Sequence, residues 1–211
     1  MEIVLKGESL LLLAEKAIFW PSQQILLIAD LHLGKVEHFR KSGIAVPVMA
    51  GQANYTVLQD VILSYQPHRV IFLGDLFHSS YNLDWEQFID FILCFESTSF
   101  ELVMGNHDVL HHSQYERTEM IVHQDELILD PFILTHHPSA HHVYYNLCGH
   151  IHPCYRMKGK SRQSLRLPCF YFGVSGGILP AMGSFTGMHA IETKEEDQIY
   201  VIADDQVIKI D

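Results

Sequence analysis

The stretch Leu102-Val103-Met104-Gly105-Asn106-His107-Asp108 decides our interpretation of the fold. A short apolar run ends at a glycine, and side chains that bind metals or carry protons follow at once. Four other places in the chain have the same arrangement of an apolar run followed by Asp or His: Ile25 to Ala29 before Asp30 and His32, Val70 to Leu73 before Asp75, Phe132 to Thr135 before His136 and His137, and Tyr144 to Cys148 before His150 and His152.

These five junctions predict that distant residues meet at one place. Short apolar runs bounded by glycine and polar residues are typical of buried strands. In layered α/β proteins, ligands bind just beyond the carboxyl ends of strands. Strands that end at one edge of the core would bring their Asp, Asn and His side chains together. The alternative is a set of unrelated strand ends with ordinary polar residues, which explains the repetition poorly.

Composition predicts one globular domain. The chain has 211 residues, 48% of them hydrophobic, and no repeat or linker interrupts it, so we expect a single domain over residues 1–211. The formal net charge of -11 argues mildly against a general nucleic-acid coat, which would be basic. Bound divalent ions would nevertheless add positive charge where a phosphate must lie.

Cysteine usage and the N-terminus bear on the compartment. Cys94, Cys148, Cys154 and Cys169 have no Cys-x-x-Cys spacing, so we expect reduced structural thiols. Cys148 and Cys154 bracket a His pair, although their spacing is not that of a structural zinc site. The sequence has no signal-peptide pattern and no run of the ~20 apolar residues that a membrane span needs. We therefore expect a cytoplasmic protein without a membrane partner.

The hydrophobic pattern predicts an α/β protein in which two β-sheets pack face to face as a sandwich and helices flank them. Besides the strands before the five junctions, the pattern predicts further strands and two helices. The strands are Leu10 to Leu13, Ala17 to Trp20, two within Met120 to Leu129, and an antiparallel tail of Leu167 to Val174, Met188 to Thr193, Ile199 to Ala203 and Val207 to Ile210; the helices are Pro47 to Tyr65, and a second one capped by Asp84 that runs to Phe95.

The residue types at the junctions suit a metal centre. Asp, Asn and His supply oxygen and nitrogen ligands, a mixture that suits Mn, Fe or Zn better than Ca. The Asp, Asn and His residues at the junctions are too many to bind one ion. They are enough to bind two ions if one carboxylate bridges the pair. Asp75 is the natural bridge, because a carboxylate has two oxygens and a neutral imidazole has one available nitrogen. Two such ions hold a phosphate, activate a water and stabilise a leaving oxygen.

The junction motifs resemble, in order and spacing, those of the calcineurin-like metallophosphoesterase superfamily. The motifs are Asp30-x-His32, Gly74-Asp75-x-x-His78, Gly105-Asn106-His107-Asp108, His136 and Gly149-His150-x-His152. Over nearly the whole chain the sequence is similar to the DNA-ligase-associated metallophosphoesterases, a family of endonucleases of the bacterial DNA-damage response. That closer likeness rests on Asp30-Leu31-His32-Leu33-Gly34-Lys35, Phe39-Arg40, Gly43, Leu167-Pro168-Cys169-Phe170, Leu179-Pro180-Ala181 and Phe185-Thr186-Gly187. The tail motifs have no chemistry that the sequence explains.

The resemblance implies the calcineurin-like fold and a set of ligands for two divalent ions, with manganese favoured over iron or zinc. It assigns one ion to Asp30, His32, Asp75 and His152, and the other to Asp75, Asn106, His136 and His150. His107 is implied as the acid that protonates the leaving oxygen or steadies the phosphate, and Asp108 as the residue that orients His107.

Other residues have two interpretations each. His78 resembles a histidine near the phosphate in repair nucleases of the superfamily, or it is a buried strand-end residue. His137 contacts substrate or packs beside His136. Lys35 and Arg40 contact phosphate oxygens, or they are solvated loop charges. The remaining loop histidines are expected at the surface: His111, His112, His141 and His142.

The leading functional hypothesis is a metal-dependent phosphodiesterase that cleaves DNA in the damage response, by in-line attack of metal-bound hydroxide with His107 as acid. One alternative is a phosphatase or phosphodiesterase for a small nucleotide or another small phosphate ester. An open groove with cations would favour the nuclease, and a closed pocket the small ester. A second alternative is a non-catalytic protein-binding scaffold, which the intact ligand set argues against. The resemblance alone implies a DNA ligase or helicase partner.

Overall fold

Two β-sheets and three helices build most of the chain that the structure, a computed structural model, describes, namely residues 1–36, 43, 49–78, 80–159, 163–184 and 186–210. The first sheet holds β1 (Glu2–Leu5), β2 (Glu8–Leu12), β3 (Ala17–Trp20), β4 (Ile25–Ile28), β5 (Arg69–Leu73), β6 (Ser99–Val103) and β7 (Ile121–His123). The second sheet holds β8 (Glu126–Leu129), β9 (Phe132–Thr135), β10 (Tyr145–Cys148), β11 (Pro153–Lys158), β12 (Ser164–Phe172), β13 (Gly176–Ile178), β14 (His189–Ala190), β15 (Gln198–Ala203) and β16 (Gln206–Ile210). The helices are α1 (Met49–Tyr65), α2 (Leu83–Leu93) and α3 (His112–Glu116).

The direction of the strands puts the predicted junctions at one edge. Strands β1 to β4 pair antiparallel, and β4 to β7 pair parallel in chain order. In the second sheet β9, β10 and β13 are parallel neighbours. Because parallel neighbours end on the same side, β4, β5 and β6 deliver their following residues to one edge, as do β9 and β10.

The core is divided between the two faces of the first sheet. In β4, Leu26 and Ile28 belong to the cluster that packs under α1 and α2. Ile25 and Leu27 belong to the cluster between the sheets, together with Phe132 of β9. Successive side chains of a strand point to opposite faces, so a strand covered on both faces is apolar throughout. The two-sheet α/β architecture with flanking helices confirms the predicted fold class.

The helices agree with the prediction except at their ends. Asn82, and not Asp84, caps α2, because its side-chain oxygen accepts the N–H of Asp84 at 2.9 Å. The helix stops at Leu93, before the predicted end at Phe95. The predicted start at Pro47 lies outside the described residues, and the described part of α1 begins at Met49. No helix in the described ranges is both long and apolar enough to cross a membrane.

The C-terminal part differs most from the prediction. The expectation that Met188 to Thr193 forms an antiparallel strand is wrong, because β14 covers only His189 and Ala190 and pairs parallel with β11. Strands β1, β11 and β13 were not predicted. Strand β13 consists of Gly176, Gly177 and Ile178, and its two glycines have little strand propensity of their own. Its place beside β10 therefore depends on tertiary pairing rather than on local sequence.

Candidate metal centre

Seven of the predicted site residues converge at the shared edge in two clusters. In the first cluster, His152 Nε2 lies 3.4 Å from Asp30 Oδ1 and 3.4 Å from His32 Nε2. The ligand atoms of these three residues all lie within 4.8 Å of one another. In the second cluster, His136 Nε2 lies 3.1 Å from Asn106 Oδ1 and 3.1 Å from His150 Nδ1. Both distances suit side chains that share one small cation.

Asp75 lies between the two clusters. Its Oδ1 is 3.4 Å from His136 Nε2 in the second cluster, and its Oδ2 is 3.7 Å from His32 Nε2 in the first. The carboxylate is almost completely buried, with 2% of Asp75 exposed. Each oxygen therefore faces a different group of imidazoles, which is the geometry that a bridging carboxylate needs.

The first cluster contains a buried oxygen that lacks a donor. Asp30 Oδ2 accepts the backbone N–H of His150 at 2.9 Å, whereas Oδ1 has no hydrogen-bond partner among the described residues. Burying such an atom is costly unless a cation or a donor satisfies it. A divalent cation held with His32 and His152 would satisfy it, and the oxygen and nitrogen donors suit Mn, Fe or Zn. The residues present thus fit the metal ions that the sequence predicts.

Backbone carbonyls orient two of the imidazoles. His136 Nδ1 lies 2.9 Å from the carbonyl oxygen of Leu73, and His152 Nδ1 lies 3.1 Å from that of Gly187. A carbonyl oxygen only accepts, so each Nδ1 carries the proton and each Nε2 directs its lone pair into the cluster. Such contacts to the outer nitrogen fix the tautomer that binds a metal. The contact with Gly187 also ties one of the tail motifs to the first cluster.

The surroundings keep two of the imidazoles neutral. Burial, together with the charges of Lys35 and of neighbouring imidazoles, lowers the pKa of His32 to about 2. Burial also lowers the pKa of His150, with His137 and His136 adding to the effect. Since metals bind the neutral imidazole, neither residue has to lose a proton at pH 7 before it becomes a ligand.

An unusual backbone conformation recurs at the predicted ligands. Positive φ angles occur at Asp30 (52°), His32 (49°), Asp75 (52°), His150 (68°) and His152 (52°). This left-handed region costs L-residues roughly 1–2 kcal/mol each, although Asp and His tolerate it better than most. Conformations of this kind persist only where the surrounding structure imposes them, and they concentrate at functional sites.

Asp108 connects the loops that carry the candidate ligands. Its Oδ2 accepts the backbone N–H groups of Asp75 and Gly105, both at 2.8 Å, and its Oδ1 accepts that of Phe77 at 3.0 Å. This differs from the sequence expectation, in which the carboxylate orients the imidazole of His107. Burial raises the pKa of Asp108 to about 7, and the amide hydrogen bonds oppose that rise. The residue therefore fixes the loop after β5 against the loop after β6.

His107 and His78 lie beside the first cluster. The backbone N–H of His107 donates to Asp75 Oδ1 at 2.9 Å, and its ring centroid lies 4.2 Å from that of His78. His78 Nδ1 is 3.1 Å from His32 Nδ1. Burial lowers the pKa of Lys35, and the negative charges of Asp75 and Asp30 oppose that effect.

The other predicted residues fall at the margin of the centre. His137 is exposed, and its ring centroid lies 4.1 Å from that of His150. Its ligand atom is within 4.8 Å of those of His136 and His150, at the solvent side of the second cluster. Arg40 lies outside the described residues. The four loop histidines are exposed, as expected: His111, His112, His141 and His142.

Two glycines that we did not single out as site residues allow this packing. A side chain at Gly74 would overlap the ring of His136, and a Cβ at Gly149 would come within 2.6 Å of Asp30 Oδ2. Both stand directly after a strand and directly before a predicted ligand. That position was the available signal, since a glycine there allows a backbone to approach another residue closely.

Comparison with known proteins agrees with this geometry. A family model described as calcineurin-like phosphoesterase matches residues 24–156. The chain therefore belongs to the calcineurin-like phosphoesterase family, and it is a metal-dependent phosphoesterase, as the sequence predicted. Among solved structures it is similar to the Pseudomonas putida nuclease MPE, with 28% identity, a TM-score of 0.82, and coverage of 100% of this chain and 99% of that one. No curated protein sequence matched.

Proposed function

We propose that this protein is a nuclease that hydrolyses phosphodiester bonds of DNA with two divalent ions, manganese being favoured. The observation that carries the proposal is the position of Asp75, whose oxygens face two separate groups of ligand atoms. The similarity to a nuclease over the full length of this chain supports a nucleic-acid substrate. A role in DNA damage response, a ligase or helicase partner and a cytoplasmic location rest on the sequence resemblance and stay predictions.

The proposal divides the ligands between the two ions as the family resemblance implies. Asp30, His32, Asp75 and His152 would hold one ion; Asp75, Asn106, His136 and His150 would hold the other. When bound, the ions would neutralise the phosphate and make a water a good nucleophile at neutral pH. Asn106 is exposed, unlike Asp30 and Asp75, so the second cluster opens to solvent where a substrate would enter.

In this proposal His107 acts as the acid. Its ring has no hydrogen bond to a described residue, so a ring nitrogen is available to an oxygen of the substrate. The backbone hydrogen bond to Asp75 and the ring of His78 hold it beside both clusters. A histidine so positioned protonates the leaving oxygen, a contribution typically of about 10²–10⁴-fold. Lys35 would add a positive charge near the phosphate.

A direct test compares substrates and variants. We would measure manganese-dependent hydrolysis of a plain phosphodiester, a phosphomonoester, single-stranded DNA and duplex DNA. His107→Ala should lower kcat on DNA by at least about 10²-fold at unchanged metal content. His142→Ala is the matched control, because His142 is an exposed histidine of the loop between β9 and β10.

The outcomes separate the alternatives. DNA cleavage that is equal in the wild type and in His107→Ala would refute the assigned role. Hydrolysis of small esters without cleavage of DNA would move the substrate to a small phosphate compound. Failure to bind metal at stoichiometric levels would favour a non-catalytic scaffold.

A further inference from the structure

A cavity of about 220 Å³ lies next to the first cluster and shares His152 with it. Its lining includes residues from three of the tail motifs for which the sequence offered no chemistry: Pro168, Ala181, Thr186 and Gly187. The two-metal site uses none of their side chains. The cavity also contains a positively charged residue from the other end of the chain, Lys16.

Lys16 is a partly buried cation in the turn between β2 and β3. Its backbone is left-handed, with a φ of 66°, and its N–H donates to the carbonyl of Leu13 at 3.1 Å. Within the described ranges its ammonium group has no ion pair and no hydrogen bond. Burial lowers its pKa, as expected for a cation that loses water without gaining a partner. An anion in the cavity would offset that cost.

The segment that lines the cavity at Gly183 and Ser184 is hydrogen-bonded to the loop after β4, which carries candidate ligands, and to α1. Met182 and Gly183 donate backbone N–H groups to the carbonyls of Ala29 and Asp30 at 3.0 and 3.1 Å. Asn54 Oδ1 accepts both the backbone N–H of Ser184, at 3.0 Å, and its hydroxyl, at 2.6 Å. These hydrogen bonds fix the cavity relative to the first cluster. A ligand that contacts both therefore binds a preformed surface.

We propose that this cavity binds a second phosphate of the substrate, adjacent along the strand to the phosphate that is hydrolysed, with Lys16 as its cation. The inference deepens the proposed function and rests on it, because only a substrate with consecutive phosphates reaches both places. Such a site would let a chain of net charge -11 bind a polyanion. A localised cation contributes at the cleft without a basic surface elsewhere.

The test uses two pairs of small diesters that differ by one phosphate. Thymidine 5′-(p-nitrophenyl phosphate) is compared with its 3′-phosphorylated form, and thymidine 3′-(p-nitrophenyl phosphate) with its 5′-phosphorylated form. The readout is the ratio of kcat/KM with and without the added phosphate. In the wild type we expect a ratio of about 10 or more for one pair, the strength of a good charge-assisted contact. Lys16→Gln should lower this ratio to about one, and Lys16→Arg should retain most of the wild-type preference.

A binding measurement supplies a readout without turnover. The affinity for a single-stranded oligonucleotide is measured in EDTA over a range of salt concentrations, where each neutralised phosphate contributes a slope of about 0.7. Lys16→Gln should lose about one such contribution. Lys6→Gln is the matched control, because Lys6 is exposed, also left-handed at a φ of 51°, and outside the cavity. If Lys16→Gln does not fold, Lys16→Gly removes the cation with a residue suited to the left-handed backbone.

The outcomes distinguish this inference from the proposed function. A wild type with no preference for either added phosphate overturns the second-phosphate site, even if DNA is cleaved. An unchanged ratio and salt slope in Lys16→Gln also overturn it. A wild type that prefers the added phosphate through Lys16 but leaves DNA intact supports the site and refutes the DNA substrate.

Discussion

Removing the carboxylate of Asp108 should destabilise the protein by an amount that follows from its contacts. The side chain is 4% exposed and accepts three backbone N–H groups, those of Asp75, Phe77 and Gly105. Asp108→Ala leaves all three donors without an acceptor. At about 1–3 kcal/mol for each donor, offset in part by water that enters and by removal of a charge whose burial is unfavourable, the free energy of unfolding should fall by about 2–4 kcal/mol.

Asp108→Asn should cost less, because the two oxygens have different partners. If the amide oxygen takes the place of Oδ2, it still accepts from Asp75 and Gly105. The amide nitrogen then faces the N–H of Phe77, where two donors meet. One unsatisfied donor costs about 1–3 kcal/mol. The free energy of unfolding should therefore decrease in the order wild type, Asp108→Asn, Asp108→Ala.

The assay is chemical unfolding in EDTA at pH 8.5, above the pKa of about 7 that burial gives Asp108. Asp60→Asn on the exposed face of α1 is the control and should lie within about 0.5 kcal/mol of wild type. A loss below about 1 kcal/mol for Asp108→Ala at an unchanged m-value would refute the reasoning.

Two further predictions concern buried charge and close packing. Burial opposes the charged form of Glu101, but hydrogen bonds from Arg69 and His123 outweigh it and lower its pKa. The resulting stability is present above the pKa of the unfolded chain, about 4.5, and is lost as pH falls through the lower folded value. Wild type should therefore lose stability faster than Glu101→Gln below pH about 4.5 in acid unfolding, and parallel curves would contradict this. Gly74→Ala should displace His136 and lower the number of ions bound per chain, measured by plasma mass spectrometry. Gly7→Ala, at a φ of 89° with no atom within 4 Å of the added Cβ, has the same backbone strain without the overlap and should keep the wild-type metal content.

The sequence predicted the parts of the fold in which local pattern and burial agree. The apolar run Val70 to Leu73 was expected as a strand, and β5 contains it within Arg69–Leu73, because both faces of the strand are covered and every position after the first is buried. The same property of β4, β9 and β10 made their ends recognisable. By contrast, β13 and β14 were missed or misassigned, since two glycines or two exposed residues carry no strand signal.

The sequence predicted which side chains converge at the candidate site, and their roles stay predictions. Each candidate ligand side chain follows an apolar run, so its type and position are visible in the sequence. What Asp108 does depends on which backbone amides fold against it, from positions about thirty residues apart. The cavity at Lys16 joins the N-terminal turn to the tail segment, a separation that no local pattern reveals.

The left-handed backbone at the five predicted ligands limits which substitutions these positions tolerate. At Asp30, for example, the φ of 52° disfavours valine or isoleucine before any loss of chemistry is considered. Asn, Asp, His and Gly are the residues that this backbone admits most readily. A lineage that loses the activity would therefore pass through changes such as Asp to Asn, which keep the loops folded. Inactive descendants should then retain the shape of the centre long after they have lost its charge.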